Sequence, residues 1–288
     1  MNKTPVSKIN RIDEAFSRLK KANEAALIPF ITAGDPDLST TRALILELVK
    51  SGADIIELGL PFSDPLADGP TIQAASQRAL INNVNATDLF DVVRDVRKKT
   101  DVPLVLMGYY NPILQYGLKE FARDAVSSGL DGVIVPDLPL EEAVAPMGWM
   151  DAARANGLAN IMLVAPTTPP ARARRIAGAT DGFLYYVSVT GITGARTELP
   201  SDLRNGLMTV KGLTKKPVAV GFGISRPDQV EMLSKVADGI IVGSAIVKIV
   251  EANSIKDGGG FRAGPNLVGA VGKFVKGLKE AATGKNNA

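Results

Sequence analysis

The chain has 288 residues, of which 45% are hydrophobic and 22% charged, and its formal net charge is +3. It contains neither cysteine nor histidine, which excludes disulfides, thiolate chemistry, histidine metal sites and imidazole catalysis. Proton transfer must therefore fall to Asp, Glu, Lys or Tyr. The basic residues are dispersed and no apolar run approaches about 18 residues, so neither nucleic-acid binding nor a membrane span is indicated.

The N-terminal segment is polar and does not resemble a signal peptide, and we expect a cytoplasmic protein. Hydrophobic periodicity predicts helices over residues 11–26, 41–50, 71–80, 88–99, 118–127, 141–155, 171–177, 202–211, 227–235, 244–251 and 267–282. Ser39 or Thr40 and Thr87 are the predicted N-caps of the second and fourth helices. Pro146 and Gly148 predict an interruption of the helix over 141–155, and residues 253–264 are predicted to be a glycine-rich break.

Eight short apolar segments between these helices read as strands, over residues 26–31, 55–58, 102–107, 132–135, 160–164, 182–187, 217–220 and 239–242. A similar sequence motif, with an aspartate just before the strand, recurs four times. Its copies are Gly52-Ala53-Asp54-Ile55-Ile56, Leu130-Asp131-Gly132-Val133-Ile134, Thr180-Asp181-Gly182-Phe183-Leu184 and Ala237-Asp238-Gly239-Ile240-Ile241. Strands that are apolar on both faces indicate a parallel sheet covered by helices.

Eight strand–helix units predict a (β/α)8 TIM barrel with an extra N-terminal helix and an extended C-terminal helix and tail. We expect one domain over residues 1–288, with the barrel over about 26–252 and the C-terminal helix and tail over 253–288. An open doubly wound sheet is the alternative. It would be expected to carry a Gly-x-Gly-x-x-Gly turn after an early strand, and the sequence has none.

In such a barrel the active site lies on the loops that follow the strands. The second strand carries Glu57 near its end, and the proline-rich loop after it carries Asp68. Two carboxylates in different environments can serve as general acid and general base. The alternative is that Glu57 pairs with a basic side chain and that Asp64 and Asp68 are turn residues.

Glycines after the seventh and eighth strands suggest a phosphate site. Gly223 and the pair Gly243-Ser244 would offer backbone N–H groups and a helix N-terminus, although such glycines can also simply form tight turns. The loop after the sixth strand, with Thr193 and Gly194, suits a closing loop but could be an ordinary connection. Phe30, Leu106, Tyr185 and Phe222 lie at or near strand ends, where they could hold a flat apolar ring or pack in the core.

These motifs closely resemble the tryptophan synthase α subunit family, from about residue 11 to residue 250. The most specific run extends from Glu57-Leu58-Gly59 through Pro61-Phe62-Ser63-Asp64-Pro65-Leu66-Ala67-Asp68-Gly69-Pro70-Thr71-Ile72-Gln73. Shorter matches are residues 29–36, Tyr110-Asn111-Pro112, Pro136-Asp137-Leu138-Pro139, residues 188–195, Gly221-Phe222-Gly223-Ile224 and Gly243-Ser244-Ala245-Ile246-Val247.

The resemblance implies a lyase of tryptophan biosynthesis that cleaves indole-3-glycerol phosphate to indole and glyceraldehyde 3-phosphate. By the same resemblance, Glu57 is the acid–base residue and Asp68 stabilises the positive charge on the indole nitrogen. The remaining implied positions are Gly194, Gly223, Gly243 and Ser244 for phosphate, Phe30, Leu106, Tyr185 and Phe222 for indole, and Thr193 for loop closure.

The resemblance also implies a β-subunit partner, in an α2β2 complex, that receives indole through a tunnel. Pyridoxal phosphate would belong to that partner, and no cofactor or metal is expected in this chain. The implied partner-contact positions are Asp64, Asn111, Pro112 and Pro139.

Two other functions compete with the lyase. A related indole-forming barrel synthase would be expected to use a lysine on a barrel strand, and the predicted strands contain none. A purely regulatory subunit would be expected to have lost Glu57 or Asp68, and both are present.

Overall fold

The computed structural model describes residues 10–188, 201–221 and 223–283. Nine parallel strands of these ranges form one sheet: β1 (Ala26–Thr32), β2 (Ile56–Gly59), β3 (Leu104–Met107), β4 (Gly132–Ile134), β5 (Ala159–Ile161), β6 (Leu163–Val164), β7 (Leu184–Val187), β8 (Val218–Gly221) and β9 (Gly239–Val242). Their order in the sheet is β5-β4-β3-β2-β1-β9-β8-β7-β6. Only Met162 separates β5 from β6, so the two ends of the sheet are halves of one fifth strand and the sheet is a nearly closed eight-stranded barrel.

Helices follow each of these eight strands, which confirms the predicted (β/α)8 architecture. In the described ranges they are α1 (Arg11–Ala22), α2 (Leu38–Lys50), α3 (Pro70–Ile81), α4 (Ala86–Arg97), α5 (Tyr110–Tyr116), α6 (Leu118–Ser128), α7 (Leu140–Ala143), α8 (Trp149–Ala155), α9 (Pro170–Ala179), α10 (Ser201–Leu213), α11 (Pro227–Ser234), α12 (Ser244–Ala252) and α13 (Leu267–Ala282). The grouping of all 288 residues into one domain stays a prediction.

The predicted N-caps of two helices were wrong. Asp37 caps α2, because its carboxylate accepts the N–H of Thr40 at 2.6 Å. Asn85 caps α4 by accepting the N–H of Thr87 at 2.9 Å, and Asp88 completes the capping box. In both cases the cap lies two or three residues before the predicted one, and the helix begins correspondingly earlier.

Three other boundaries differ from the predictions. The first helix ends at Ala22, because Asn23 adopts a left-handed conformation with φ of 56°. The helix α5, directly after β3, was not among the predicted helices. The predicted break after α12 is an antiparallel hairpin, β10 (Ser254–Asp257) with β11 (Gly260–Ala263). The predicted interruption at Pro146 and Gly148 is confirmed by the gap between α7 and α8.

The N-terminal helix α1 covers the end of the barrel opposite the strand C-termini. Its buried residues Ile12 and Phe16 belong to the cluster inside the barrel, where the Phe16 and Phe183 rings lie 5.6 Å apart. Ile12 leaves no room for side chains at two strand starts: a Cβ on Gly132 would lie 3.0 Å from Ile12 Cδ1, and one on Gly182 3.1 Å from Ile12 Cγ2. The extra helix therefore forms the floor of the barrel.

The repeated aspartates join neighbouring strands in pairs by hydrogen bonds at this floor. Asp54 donates its N–H to the carbonyl of Leu27 at 3.0 Å, and its Oδ2 accepts the N–H of Leu27 at 3.0 Å. The same reciprocal bonds join Asp131 to Leu104, Asp181 to Asn160, and Asp238 to Val218. Each aspartate also forms ion pairs with one or two basic side chains of the helices. Arg18 and Lys279 pair with Asp54, Arg11 and Arg97 with Asp131, Arg154 with Asp181, and Lys211 with Asp238.

Candidate active site

Glu57 lies on the inner face of β2, where it is paired in register with Phe30 on β1 and Val105 on β3. The residue is 1% exposed, and its Oε2 has no hydrogen-bond partner within the described ranges. Burial, followed by the charge of Asp68, raises the pKa of Glu57 to about 8. None of the described basic side chains forms an ion pair with it, so the structural alternative of a Glu57 salt bridge receives no support from these residues. Glu57 is therefore a neutral acid near pH 7.

Asp68 lies on the loop between β2 and α3, which hydrogen bonds hold in place. Its N–H donates to the carbonyl of Pro65 at 3.0 Å, and Gln73 of α3 donates Nε2–H to the carbonyl of Asp68 at 2.9 Å. The hydroxyl of Tyr109 donates to Asp68 Oδ2 at 3.0 Å. Burial raises the pKa of Asp68 to about 6, and the Tyr109 hydrogen bond opposes that rise. Asp68 is therefore ionised near pH 7, unlike Glu57.

The two carboxyl groups interact across the mouth of the barrel. The charge of Asp68 raises the pKa of Glu57, and both charges add to burial in raising the pKa of the Tyr185 hydroxyl. The structure thus brings these three groups together at the mouth of the barrel, where the loops after parallel strands meet. Tyr109 was missed as a site residue. Its position directly after β3, on the same side of the barrel as Asp68, was the available signal.

Two of the predicted indole-pocket aromatics line the inner wall. A Cβ on Gly59 would lie 2.6 Å from Phe30 Cζ, and one on Gly243 would lie 3.4 Å from Phe30 Cδ1, so the Phe30 ring extends between β2 and the start of α12. Tyr185 is 9% exposed, and its hydroxyl fills the space beside Gly221. Glycine at these strand ends therefore makes room for aromatic rings.

Leu106 does not lie with those aromatics. It is fully buried in the cluster between the sheet and the helices, because alternate residues of a strand face opposite sides and its neighbour Val105 faces inward. Met107, the next inward residue of β3, packs against the cluster that contains Tyr185 and against the one that contains Phe30. The structure thus brings Met107, rather than Leu106, to the apolar wall of the site.

The glycines predicted to bind phosphate follow the neighbouring strands β8 and β9. Gly223 has φ of 71°, a conformation that favours glycine. Gly243 precedes α12, whose first residue, Ser244, is exposed. The first N–H groups of this nine-residue helix face the mouth and can bind an anion. The predicted residues Thr193, Gly194 and Phe222 lie outside the described ranges.

The four predicted partner-contact residues lie at or after the ends of three adjacent strands, β2, β3 and β4. Asp64, Asn111 and Pro139 are exposed, and Pro112 is half-buried. They are therefore accessible on the same side of the barrel as the two carboxylates. Within the described ranges, no three Asp or Glu residues are grouped as a metal site, and no helix is both long and apolar enough to cross a bilayer.

A family model described as tryptophan synthase alpha chain matches residues 16–261. The chain belongs to the tryptophan synthase alpha chain family. The alpha chain of Geotalea uraniireducens is 50% identical over 271 residues, which span 94% of this chain and 97% of that one. The alpha chain of Geobacter sulfurreducens is 48% identical over 273 residues, spanning 95% and 99% of the two chains.

Solved structures of the tryptophan synthase alpha family share the fold. The alpha subunit from Legionella pneumophila superposes with a TM-score of 0.84 at 39% identity, covering 96% of this chain and all of that one. A chain of Mycobacterium tuberculosis tryptophan synthase superposes with a TM-score of 0.83 at 34% identity, covering 96% and 99%. The resemblance drawn from the sequence motifs is confirmed, and with it the function of an alpha subunit in tryptophan biosynthesis.

Proposed function

We propose that Glu57 and Asp68 are the residues with which this chain carries out the reaction of its family, the cleavage of indole-3-glycerol phosphate to indole and glyceraldehyde 3-phosphate. The observation that carries this assignment is the difference between the two carboxyl groups. One is fully buried with a pKa raised to about 8, and the other is half-buried with a pKa of about 6. Between these values one acid and one carboxylate face the same space.

Glu57 serves as acid and then as base. Its proton passes to the indole ring carbon that bears the side chain, because that carbon must be protonated before it can leave. The resulting Glu57 carboxylate takes the proton of the side-chain hydroxyl next to the ring. The carbon–carbon bond breaks, its electron pair restores the aromatic indole, and the hydroxyl carbon becomes the aldehyde. The two transfers return Glu57 to its starting state, so neither a metal nor an organic cofactor enters the balance.

Asp68 stabilises the charge that the first transfer creates. Protonation of the ring carbon places a positive charge on the indole nitrogen, and an ionised carboxylate beside that nitrogen lowers the energy of the intermediate. The hydrogen bond from Tyr109 supports this role, because it favours the ionised form of Asp68 and fixes one of its two oxygens. The other oxygen is left for the ring N–H.

The rest of the site would bind the substrate's two ends. Phe30 and Tyr185 line an apolar space for the indole ring, to which we add Met107 in place of Leu106. Gly223, Gly243 and Ser244 are proposed to bind the phosphate through backbone N–H groups. Phe222 for indole, Gly194 for phosphate and Thr193 for loop closure remain proposals from the family resemblance alone.

The partner in this family is the tryptophan synthase β subunit, which carries the pyridoxal phosphate and receives indole. We propose that Asp64, Asn111, Pro112 and Pro139 contact it in an α2β2 complex. Their accessibility around the mouth supports this, because the product must leave there. A cytoplasmic location is proposed as well.

The variant Glu57→Gln tests the assignment. It keeps the size of the side chain but cannot exchange a proton, so indole release from indole-3-glycerol phosphate should fall by a factor of about 10² to 10⁴. Binding of 3-(indol-3-yl)propyl phosphate, an analogue without the side-chain hydroxyls, should survive in a calorimetric titration. Glu14→Gln, an exposed glutamate on the floor helix α1, is the matched control and should retain full activity. Undiminished turnover by Glu57→Gln would refute the assignment.

A further inference from the structure

Thr32, the last residue of β1, carries a buried hydroxyl that has no hydrogen-bond partner among the described residues. The residue is 3% exposed, and its Oγ1 makes no hydrogen bond to any described residue. An unpaired buried hydroxyl costs about 1–3 kcal/mol, and valine would fill nearly the same volume without that cost. Such a group in a native structure requires an explanation, and one explanation is a ligand that supplies the missing partner.

The hydroxyl belongs to the inner wall of the barrel. Residues of β1 alternate between its two faces, since Ile28 packs in the inner cluster and Ile31 in the outer one. Thr32 follows Ile31 and therefore faces inward, above Phe30. Its backbone is fixed on both sides: the carbonyl of Thr32 accepts the N–H of Asp35 at 3.2 Å, and the N–H of Ala33 donates to the carbonyl of Gly59 at 2.9 Å.

The strand register places Thr32 between the two parts of the proposed site. On one side, Thr32 is opposite Gly59, two residues beyond Glu57 on β2. On the other side, β9 pairs with β1 up to Val242 opposite Pro29, and Gly243 lies beside Phe30, where a Cβ would be 3.5 Å from Phe30 Cβ. A substrate whose ring contacts Glu57 and whose phosphate binds at Gly243 therefore spans the inner face of β1 at Phe30, and Thr32 is the next inward residue towards the mouth, beside its three-carbon chain.

We propose that Thr32 is a substrate-binding residue whose Oγ1 hydrogen-bonds a hydroxyl of the chain between the indole ring and the phosphate. This inference rests on the proposed function and adds a residue that recognises the polar middle of the substrate. A threonine hydroxyl both donates and accepts, as an alcohol does, so it can pair with a substrate hydroxyl that also donates its proton to Glu57. The threonine thus selects substrates that carry a hydroxyl at this position.

Removal of the hydroxyl should weaken only ligands that carry the matching group. In a Glu57→Gln background, which holds the substrate without cleaving it, Thr32→Val should weaken binding of indole-3-glycerol phosphate about tenfold in a calorimetric titration. Binding of 3-(indol-3-yl)propyl phosphate should change by less than about twofold. Thr32→Ser should restore substrate affinity to within about threefold of the parent. Thr32→Ala removes the same hydroxyl and replaces the valine variant if that one does not fold.

Thr180→Val is the control for a merely structural effect. The Thr180 hydroxyl is also buried, but it accepts the N–H of Met162 at 3.0 Å and donates to the carbonyl of Phe183 at 2.8 Å, before β7 at the floor end of the barrel. This variant should lose stability without altering the ratio of the two affinities. Equal losses for both ligands in Thr32→Val, or no loss for either, would overturn the inference. Turnover surviving in Glu57→Gln would instead contradict the proposed function, while the affinity ratio would still test Thr32.

Discussion

The hydroxyl of Tyr109 donates to Asp68 Oδ2 at 3.0 Å, and the oxygen of that hydroxyl accepts the N–H of Ala67 at 3.0 Å. One side chain after β3 thus fixes both the carboxylate and the backbone of the loop that carries it. The hydrogen bond also favours the ionised carboxylate, so it opposes the rise in pKa that burial causes. Tyr109 therefore links the shape of the loop to the charge of Asp68.

Tyr109→Phe should shift the acidic limb of the kcat/KM profile to higher pH. Asp68 must be ionised to stabilise the ring cation, and loss of a hydrogen bond to its carboxylate raises its pKa above the present value of about 6. Initial rates of indole formation between pH 5 and 9 measure the shift. Tyr116→Phe is the matched control, because Tyr116 donates to Asp124 at 2.8 Å on α6, away from the carboxylates of the mouth. An acidic limb unchanged by Tyr109→Phe would contradict the role given to this bond.

Glu57→Gln should become progressively more stable than the parent chain as the pH rises. The pKa of Glu57 is about 8 in the folded chain and about 4.5 when unfolded, so between these values only the unfolded state ionises, and the parent loses stability. The loss is about 1.4 kcal/mol per pH unit at most and ends above pH 8. Urea unfolding at pH 4.5, 6 and 8 measures the difference between the two proteins. A difference that does not grow with pH would show that burial does not perturb Glu57.

Met107→Ala and Leu106→Ala should have separate effects. Met107 faces the inner clusters, so its truncation should weaken binding of 3-(indol-3-yl)propyl phosphate about tenfold. Leu106 packs between the sheet and the helices, so its truncation should cost about 2–5 kcal/mol of stability and leave affinity unchanged. Calorimetry and urea unfolding of both variants decide the matter. Weaker binding of the analogue by Leu106→Ala, at unchanged stability, would show that Leu106 lines the indole pocket after all.

Asp131→Asn should destabilise the chain more than Asp238→Asn, with kcat unaffected in both. The Asp131 side chain is 5% exposed and pairs with Arg11 at 2.9 Å and Arg97 at 2.6 Å, so the amide would remove a buried charge that two cations share. A loss of about 3 kcal/mol is expected. Asp238 is 36% exposed and, among the described residues, pairs with Lys211 alone, so about 1 kcal/mol is expected. Equal losses would show that burial does not set the strength of these pairs.

The barrel was predictable because its strands are apolar on both faces and each is followed by a helical pattern. Glu57 and Asp68 were predictable as a pair, because a carboxylate at a strand end and another on the following rigid loop must share the mouth. Helix starts were less predictable. Asp37, Ser39 and Thr40 can all cap a helix, and only the backbone conformation of Asp37 decides between them.

Other features depend on information that a motif does not contain. Leu106 and Met107 are adjacent apolar residues, and their assignment to outer and inner faces depends on the register with Glu57 on β2. The hairpin of β10 and β11 was hidden by its glycines, although an Asp-Gly pair between Ile255 and Phe261 is a hairpin signal. The unpaired hydroxyl of Thr32 has no counterpart in the sequence pattern at all.

The reciprocal hydrogen bonds at Asp54, Asp131, Asp181 and Asp238 divide the barrel into four pairs of strands. They join the first strand to the second, the third to the fourth, the fifth to the sixth and the seventh to the eighth. Within the described ranges, no such carboxylate bond joins the four remaining pairs of neighbouring strands. The amide protons of Leu27, Leu104 and Val218 each donate to an aspartate carboxylate. They should therefore exchange with solvent more slowly than the first amide protons of strands at the boundaries without such a bond. Local opening of the barrel would therefore separate four pairs of strands rather than eight single strands.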